Sequence, residues 1–502
     1  MRLYCLVLVL LFIVVPVPSQ VSNQMDGGII FNSAVVFGGP GFETGCDISY
    51  FDGKYVVNGD TFSPYFTLNS SRTNHGPSDF FIASVDVNNP SINWFQILGG
   101  NTTDSSYENS IDHQGNIYMV GSTKSLDFIT SNALSPFGDM DVYLAKISSG
   151  DGQLEWITSI GGNATDSGFG STIDQEGNII ISGYTSSIDF KTTSGFESPN
   201  KLSNAFLAKI TPNGELLWSR TFGGDAADKG YMVRTASDNS IFLIGETYSS
   251  DLPNAKNVKL GNDTADTFIA KFDALGNNTW SEYLGGSNAE SVANIEIDNN
   301  DNIYVFGTTS SGDFPSTLLP PKSNDPGDYF LVKLNTNGQI VWSTIYGGTK
   351  TEIADSMGLT PDGNLVVGGE SDSTDAPMVN PYQSKNAGQR DILLAEFSYE
   401  GNLTWSTYFG GDKADTAQSL VIEGNQLVIG GGSRSSNLPG SDNRIQNEDG
   451  QVVVTSFNFT QTISSPSHQT KSPSTSFIFI TAFLVCLVYI KKSNTSLNKS
   501  KS

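Results

Sequence analysis

Six tryptophans, Trp94, Trp156, Trp218, Trp280, Trp342 and Trp405, fall 62, 62, 62, 62 and 63 residues apart, and the chain has no seventh. Spacing this regular marks an internal repeat, which confines a chain to architectures that stack one unit many times. A second marker keeps the same period. Glycine pairs stand at 38–39, 99–100, 161–162, 223–224, 285–286, 347–348 and 410–411, so there are seven units of about 62 residues.

The unit between Ser281 and Trp342 displays the common content. The run ending at Ile297 meets the turn 298–302, and the apolar stretch 303–307 that follows is too short for a helix. A Ser, Gly and Pro-rich loop leads to 328–334, then to the turn 335–338 and the stretch 339–346. These read as four antiparallel strands joined by hairpin turns. Four strands per unit, repeated, predict an all-β fold whose units are propeller blades around a channel. The blades begin near residues 40, 101, 163, 225, 287, 349 and 412. The seventh unit lacks its tryptophan strand, and residues 28–37 read like that missing strand. An N-terminal strand that completes blade 7 would close the ring and remove an open sheet edge.

Residues 1–19 carry Arg2, an apolar run and a small residue at a plausible cleavage point, the pattern of a secretory signal peptide. Residues 472–490 are uncharged and just long enough to cross a bilayer, and the basic tail 491–502 follows. The expectation is a type I single-pass protein of the plasma membrane. Its ectodomain spans 20–460, with a Ser, Thr and Pro-rich stalk at 461–476 that overlaps the membrane segment. A net charge of -25 leaves no basic patch for phosphates, so nucleic acid is not an expected partner. Cys46 is the one ectodomain cysteine, read as a small buried hydrophobe, so no intrachain disulfide can brace the ring. Acceptor sequons at Asn69, Asn101, Asn163, Asn262, Asn277, Asn402 and Asn458 suit a secreted glycoprotein.

The tryptophans are read as packing residues wedged between blades, because strand alternation turns each ring to one side of its sheet. The spacing Gly-x-x-x-Trp, as in Gly152 to Trp156 and Gly276 to Trp280, resembles the tryptophan-docking repeat of quinoprotein propellers. A longer pattern runs from the glycine pair through an acid, Ile-Asp-x-x-Gly-Asn, Gly-x-Thr and Ser-x-Asp-Phe-Pro to Asp-x-Phe-Leu-Ala-Lys. It is carried best by 161–209 and 285–333. It is similar to the SBBP family of β-propeller repeats, a likeness that covers about 28–460. That resemblance implies a surface or secreted propeller and no single reaction or ligand.

Four positions after each glycine pair stands a carboxylate: Glu43, Asp104, Asp166, Asp228, Glu290, Glu352 and Asp415. Asp127, Asp189, Asp251, Asp313 and Asp375 recur after the second strand, and Asp79, Asp141, Asp266, Asp328 and Asp391 before the third. Topology sends all of them to one end of the blades, a candidate acidic face. Most simply they accept hydrogen bonds from loop N–H groups and from the recurring Thr or Ser. The other reading is a hard-cation site, with calcium the candidate. No blade carries a closely spaced calcium loop, so no cofactor and no confident metal site are expected. Asp298 and Asp301 come nearest to such a loop, but they occupy a hairpin turn.

No nucleophile elbow, phosphate loop or metal-spaced histidine occurs. The turn 149–156 resembles the Asp-box of sialidases, itself a turn staple. The reading is therefore a non-catalytic cell-surface module that binds an extracellular protein or glycan. Its alternatives are a propeller enzyme, quinoprotein-like oxidoreductase or glycosidase, and an integrin-like calcium-dependent head. The sequence leaves the oligomeric state open.

Overall fold

Turn chemistry fixes where each strand stops. In the fifth unit the Asp298 carboxylate accepts the backbone N–H groups of Asn300 and Asn302, both at 2.9 Å. The same turn recurs at Asp112 and Asp174. Such Asx turns hold two apolar stretches back to back, and these pair as a hairpin. The computed structural model describes residues 28–460 apart from 67–68, 74, 129–137, 194–201, 262–263, 320–326 and 442–449. Its described residues form seven four-stranded antiparallel sheets and one two-stranded ribbon, Tyr65–Phe66 with Asn69–Thr73.

Numbered in chain order, the blades open with the strands Glu43–Phe51, Asp104–Ile111, Asp166–Ile173, Asp228–Thr235, Glu290–Ile297, Glu352–Leu359 and Ser419–Glu423. Each of these first strands touches the first strands of both neighbouring blades, so the seven enclose a central channel. Blade 5 adds Ile303–Thr309, Asp328–Leu334 and Ile340–Tyr346 outward in that order.

Blade 7 is assembled from both ends of the described chain. Ser419–Glu423, Gln426–Ser433 and Gln451–Phe459 are completed by Ile29–Phe37, with Ile29 opposite Phe459 and Phe37 opposite Val452. The closing strand thus lies where residues 28–37 were expected.

Among the described residues seven apolar clusters form the core, one at each blade-to-blade interface. Between blades 4 and 5, Phe242 and Ile269 pack against Ile295, Val305 and Phe330. Between blades 7 and 1, Val35 and Phe37 of the closing strand pack with Ile48, Val57 and Phe81. The closing strand therefore seals a core as well as a sheet edge.

The tryptophans stand on the outermost strands and dock into the next blade. Trp280 lies over Gly338, where an added Cβ would come within 2.9 Å of the ring. Gly338 also has φ +78°, a conformation that favours glycine. Gly276 receives Trp218 in the same way. The glycine of Gly-x-x-x-Trp thus serves the tryptophan of the preceding blade. Indole N–H groups of Trp94 and Trp342 donate to the carbonyls of Ser149 and Tyr399, at 2.9 and 3.0 Å, in the next blade's outer turn.

Among the described residues no helix is long and apolar enough to cross a membrane. The expected signal peptide (1–19), stalk (461–476), membrane segment (472–490) and tail (491–502) lie outside the described residues, as does Asn262.

Candidate functional site

The recurring carboxylates are buried beneath one end of the blades. Glu43, Asp104, Asp166, Asp228, Glu290, Glu352 and Asp415 are all 0–2% exposed. Asp228 is representative: its Oδ2 accepts the Gly224 N–H and the Ser249 hydroxyl, both at 2.8 Å, and its Oδ1 the Thr247 hydroxyl at 2.5 Å. The backbone N–H of the second glycine and one or two hydroxyls serve Asp104, Asp166, Glu290, Glu352 and Asp415 in the same way. Glu43 takes the hydroxyls of Thr61 and Ser63. Asp127, Asp189, Asp251, Asp313 and Asp375 accept the N–H of the residue after each pair. These acids tie the inter-blade link to the loop after the second strand.

Asp79, Asp141, Asp266, Asp328 and Asp391 open third strands, where blades 3 and 7 have Asn204 and Gln451. Burial, and then the Asp166 charge, push Asp141 up to about 7; burial and Asp415 push Asp391 up to about 6. The position requires a polar group, and an amide fills it as well as a carboxyl. Asp301, in the left-handed region at φ +59°, binds Ser237 of the preceding blade, so it too is a staple. Among the described residues no group of three or more His, Cys, Asp or Glu is placed to hold a metal ion.

The repeat breaks down at the channel. In blades 1 to 6 the first strand carries a bulge three to four residues in, occupied by Cys46, Tyr107 with Glu108, Phe169, Tyr231 with Met232, Ala293 and Asp355. A bulge re-aims side chains at one spot of a sheet. From Tyr107 to Asp355 these bulge residues all line a channel cavity of about 540 Å³. Scaffold positions repeat from blade to blade, whereas the bulge residues of blades 1 to 6 vary, with only Tyr107 and Tyr231 alike. Sequence reading passed over these residues because it sought recurring positions; the signal was the column of the repeat that fails to recur.

Blades 2 to 4 give the cavity an aromatic wall. Phe169 packs edge-on against Tyr107 at 4.6 Å and beside Tyr231 at 5.2 Å and Tyr184 at 5.8 Å, and the Lys229 ammonium sits 5.0 Å over the Tyr184 ring. Acids face it. Asp47 of blade 1 accepts the Ser419 hydroxyl at 2.7 Å and the Asn109 N–H at 2.8 Å, and burial with the Glu108 charge pushes it up to about 7. Asp355 of blade 6 is pushed well up by burial and by Glu370, with Arg390 opposing. Its Oδ2 is buried without a hydrogen-bond partner among the described residues, and so are Asn294 Oδ1 and Gln418 Oε1 on the same lining.

Arg234 spans the channel from blade 4 to Glu108 of blade 2 at 2.8 Å and to Glu296 of blade 5 at 3.4 Å. Burial works against its charge, but the two glutamates prevail and raise its pKa. Arg234 and Glu108 also line a second space of about 310 Å³ among blades 2 and 3, so this ion triad divides the channel. A further cleft of about 500 Å³ lies across blades 6, 7 and 1, with Arg390 paired to Asp372 and Glu370 and Arg434 over the Phe42 ring.

Residues 279–315, from the outer strand of blade 4 into blade 5, match the SBBP family, described as a β-propeller repeat. Each repeat here is one propeller blade. An uncharacterized WD repeat-containing protein of Acanthamoeba polyphaga mimivirus is 21% identical over 440 residues, 71% of this chain and 31% of that protein. The regulatory protein FlaEY of Caulobacter vibrioides is 23% identical over 264 residues, 50% of this chain and 25% of FlaEY. The chain therefore spans under a third of the length of these curated relatives. Similar solved structures include the Pan2 WD40 domain of Neurospora crassa (TM-score 0.45, 10% identity, 86% of this chain and 95% of that one). An ulvan lyase, a polysaccharide lyase, gives a TM-score of 0.45 at 10% identity over 85% of this chain and 95% of its own.

Proposed function

We propose that this chain is a plasma-membrane glycoprotein of type I topology whose propeller binds an extracellular protein or glycan without catalysis, through the channel. One observation carries the reading: the channel-facing bulge residues vary among blades 1 to 6 while the buried scaffold is repeated. A site confined to the variable positions of a repeat array follows the usual division between blade-building and ligand-contacting residues. The glycoprotein part is supported by the exposure of Asn101, Asn163, Asn277, Asn402 and Asn458. Asn69 lies on the short ribbon.

The test uses the secreted 20–462 ectodomain in a glycan array and in cell-surface capture, beside a Phe169→Ala variant. The expected result is a ligand held by the wild type and lost by the variant at unchanged melting temperature. Retention of every ligand by Phe169→Ala would remove the channel from the reading. For topology, an epitope after residue 20 is expected to be accessible on intact cells, and one after Ser502 only after permeabilisation.

A further inference from the structure

We propose that the channel cavity is a receptor for an organic cation, a quaternary or protonated amine or a guanidinium, seated between the Tyr107, Phe169 and Tyr231 wall and the Asp355 carboxylate. The inference deepens the preceding one and rests on it, since it names the ligand chemistry of the same site.

Three independent features of the cavity converge on a cation. The first is the wall: aromatic faces attract positive charge through the ring quadrupole, most strongly where water is excluded. This protein already uses one end of that cluster in this way, with the Lys229 ammonium over Tyr184. The second is charge. Asp47, Glu108, Glu296, Asp355 and Glu423 line the space, and among the described residues the one cationic side chain on the lining, Arg234, is committed to Glu108 and Glu296. An anion would meet repulsion there, and a neutral sugar could stack on the rings but would offer Asp47 and Asp355 no counter-charge.

The third feature is an orphan. Asp355 Oδ2 is buried without a partner among the described residues; burial favours its protonated form, and a cation drawn up beside it would favour the ionised one. Asp355 sits in blade 6, across the channel from the blade 2 to blade 4 aromatics, so a ligand held in the cavity lies between them. The volume of about 540 Å³ suits a small molecule or one long side chain. The net charge of -25 would draw such a ligand toward the molecule.

Calorimetric titration of the glycosylated 20–462 ectodomain, at constant ionic strength and neutral pH, tests this. The probes are choline, its neutral isostere 3,3-dimethylbutanol, and capped peptides bearing lysine, trimethyllysine or arginine. Binding of at least one cation, about tenfold or more tighter than the neutral isostere, is expected. Asp355→Asn, which keeps shape and removes charge, should weaken it by about tenfold, and Tyr231→Leu likewise, while Tyr231→Phe retains it. Melting temperatures of the three variants report whether each is folded. Choline binding assigns a free small molecule as sufficient; binding of peptides alone assigns a basic side chain of a partner protein, and either supports the proposal. Equal affinity for choline and its isostere, or unchanged cation affinity in folded Asp355→Asn, overturns it. An ectodomain that ignores every cation yet captures a ligand lost in Phe169→Ala would overturn the cation assignment and leave the channel reading standing.

Discussion

Trp342 and Trp405 hold the same place in successive blades, yet their indole N–H groups meet different surroundings. Trp342 donates to the Tyr399 carbonyl in the outer turn of blade 6. Trp405 faces blade 7, whose third and fourth strands come from opposite ends of the chain and share no such turn. Its Nε1 is buried without a partner among the described residues. Trp342→Phe should therefore cost about 1 kcal/mol more than Trp405→Phe, because it breaks a made hydrogen bond whereas the other removes an unmade one. Chemical denaturation of the two variants reads the difference, and equal losses would show that the bond contributes nothing. The role of these tryptophans was readable because a lattice of six repeats it. The destination of each indole was not, since the residue that receives it lies more than 50 positions away in the next unit. Phe169 and Asp355 were hidden for the opposite reason: each occurs once in its column of the repeat, and a search for recurrence discards it.

At the level of strands, hairpin turns and apolar runs were enough to place nearly every element, and the missing fourth strand of the last unit pointed to the first segment of the described chain. The bulges were not anticipated. A bulge is set by how a strand must bend to line a narrow ring, which depends on six other blades and leaves little local trace. The closing strand is the element on which the ring depends. Ile29–Phe37 pairs along Gln451–Phe459 and supplies Val35 and Phe37 to the interface of blades 7 and 1. Deleting residues 20–39 from the 20–462 ectodomain should expose a sheet edge and part of a core at once. Loss of two to three buried apolar side chains alone is worth roughly 5 kcal/mol, so the 40–462 ectodomain is expected to melt well below its parent and to self-associate. Equal melting temperatures and a monomeric 40–462 form would refute closure by this strand.

For the whole molecule, the buried carboxylates predict an inverted acid response. Burial lifts Asp60, Asp228 and Asp391 to about 6, and Asp47 and Asp141 to about 7, in every case with a neighbouring acid adding to it. A carboxyl whose folded pKa exceeds its unfolded value of about 4 stabilises the fold below that value, and the contribution is lost as pH rises through the folded pKa. Asp112, Asp174 and Asp273 behave oppositely: burial opposes their charge, but turn hydrogen bonds, and Lys209 in the case of Asp174, hold them low. Their contribution is present above about pH 4 and disappears below it. The two groups bracket a maximum at about pH 4, and the melting temperature should fall by several degrees from about pH 5 to about pH 8 at fixed ionic strength. Relief of the repulsion from 25 net negative charges acts in the same direction, so one variant separates the two causes. Asp141→Asn copies the amide that blade 3 already carries at Asn204, and its oxygen can still accept the Gly138 N–H. It removes one charge in 25 but one of the largest single costs, so it should raise stability by about 1–2 kcal/mol at pH 8 and change nothing at pH 4. A wild-type melting temperature that is flat or rising from pH 5 to 8, or an Asp141→Asn gain equal at both pH values, would show that these carboxyls ionise in the folded ring without cost.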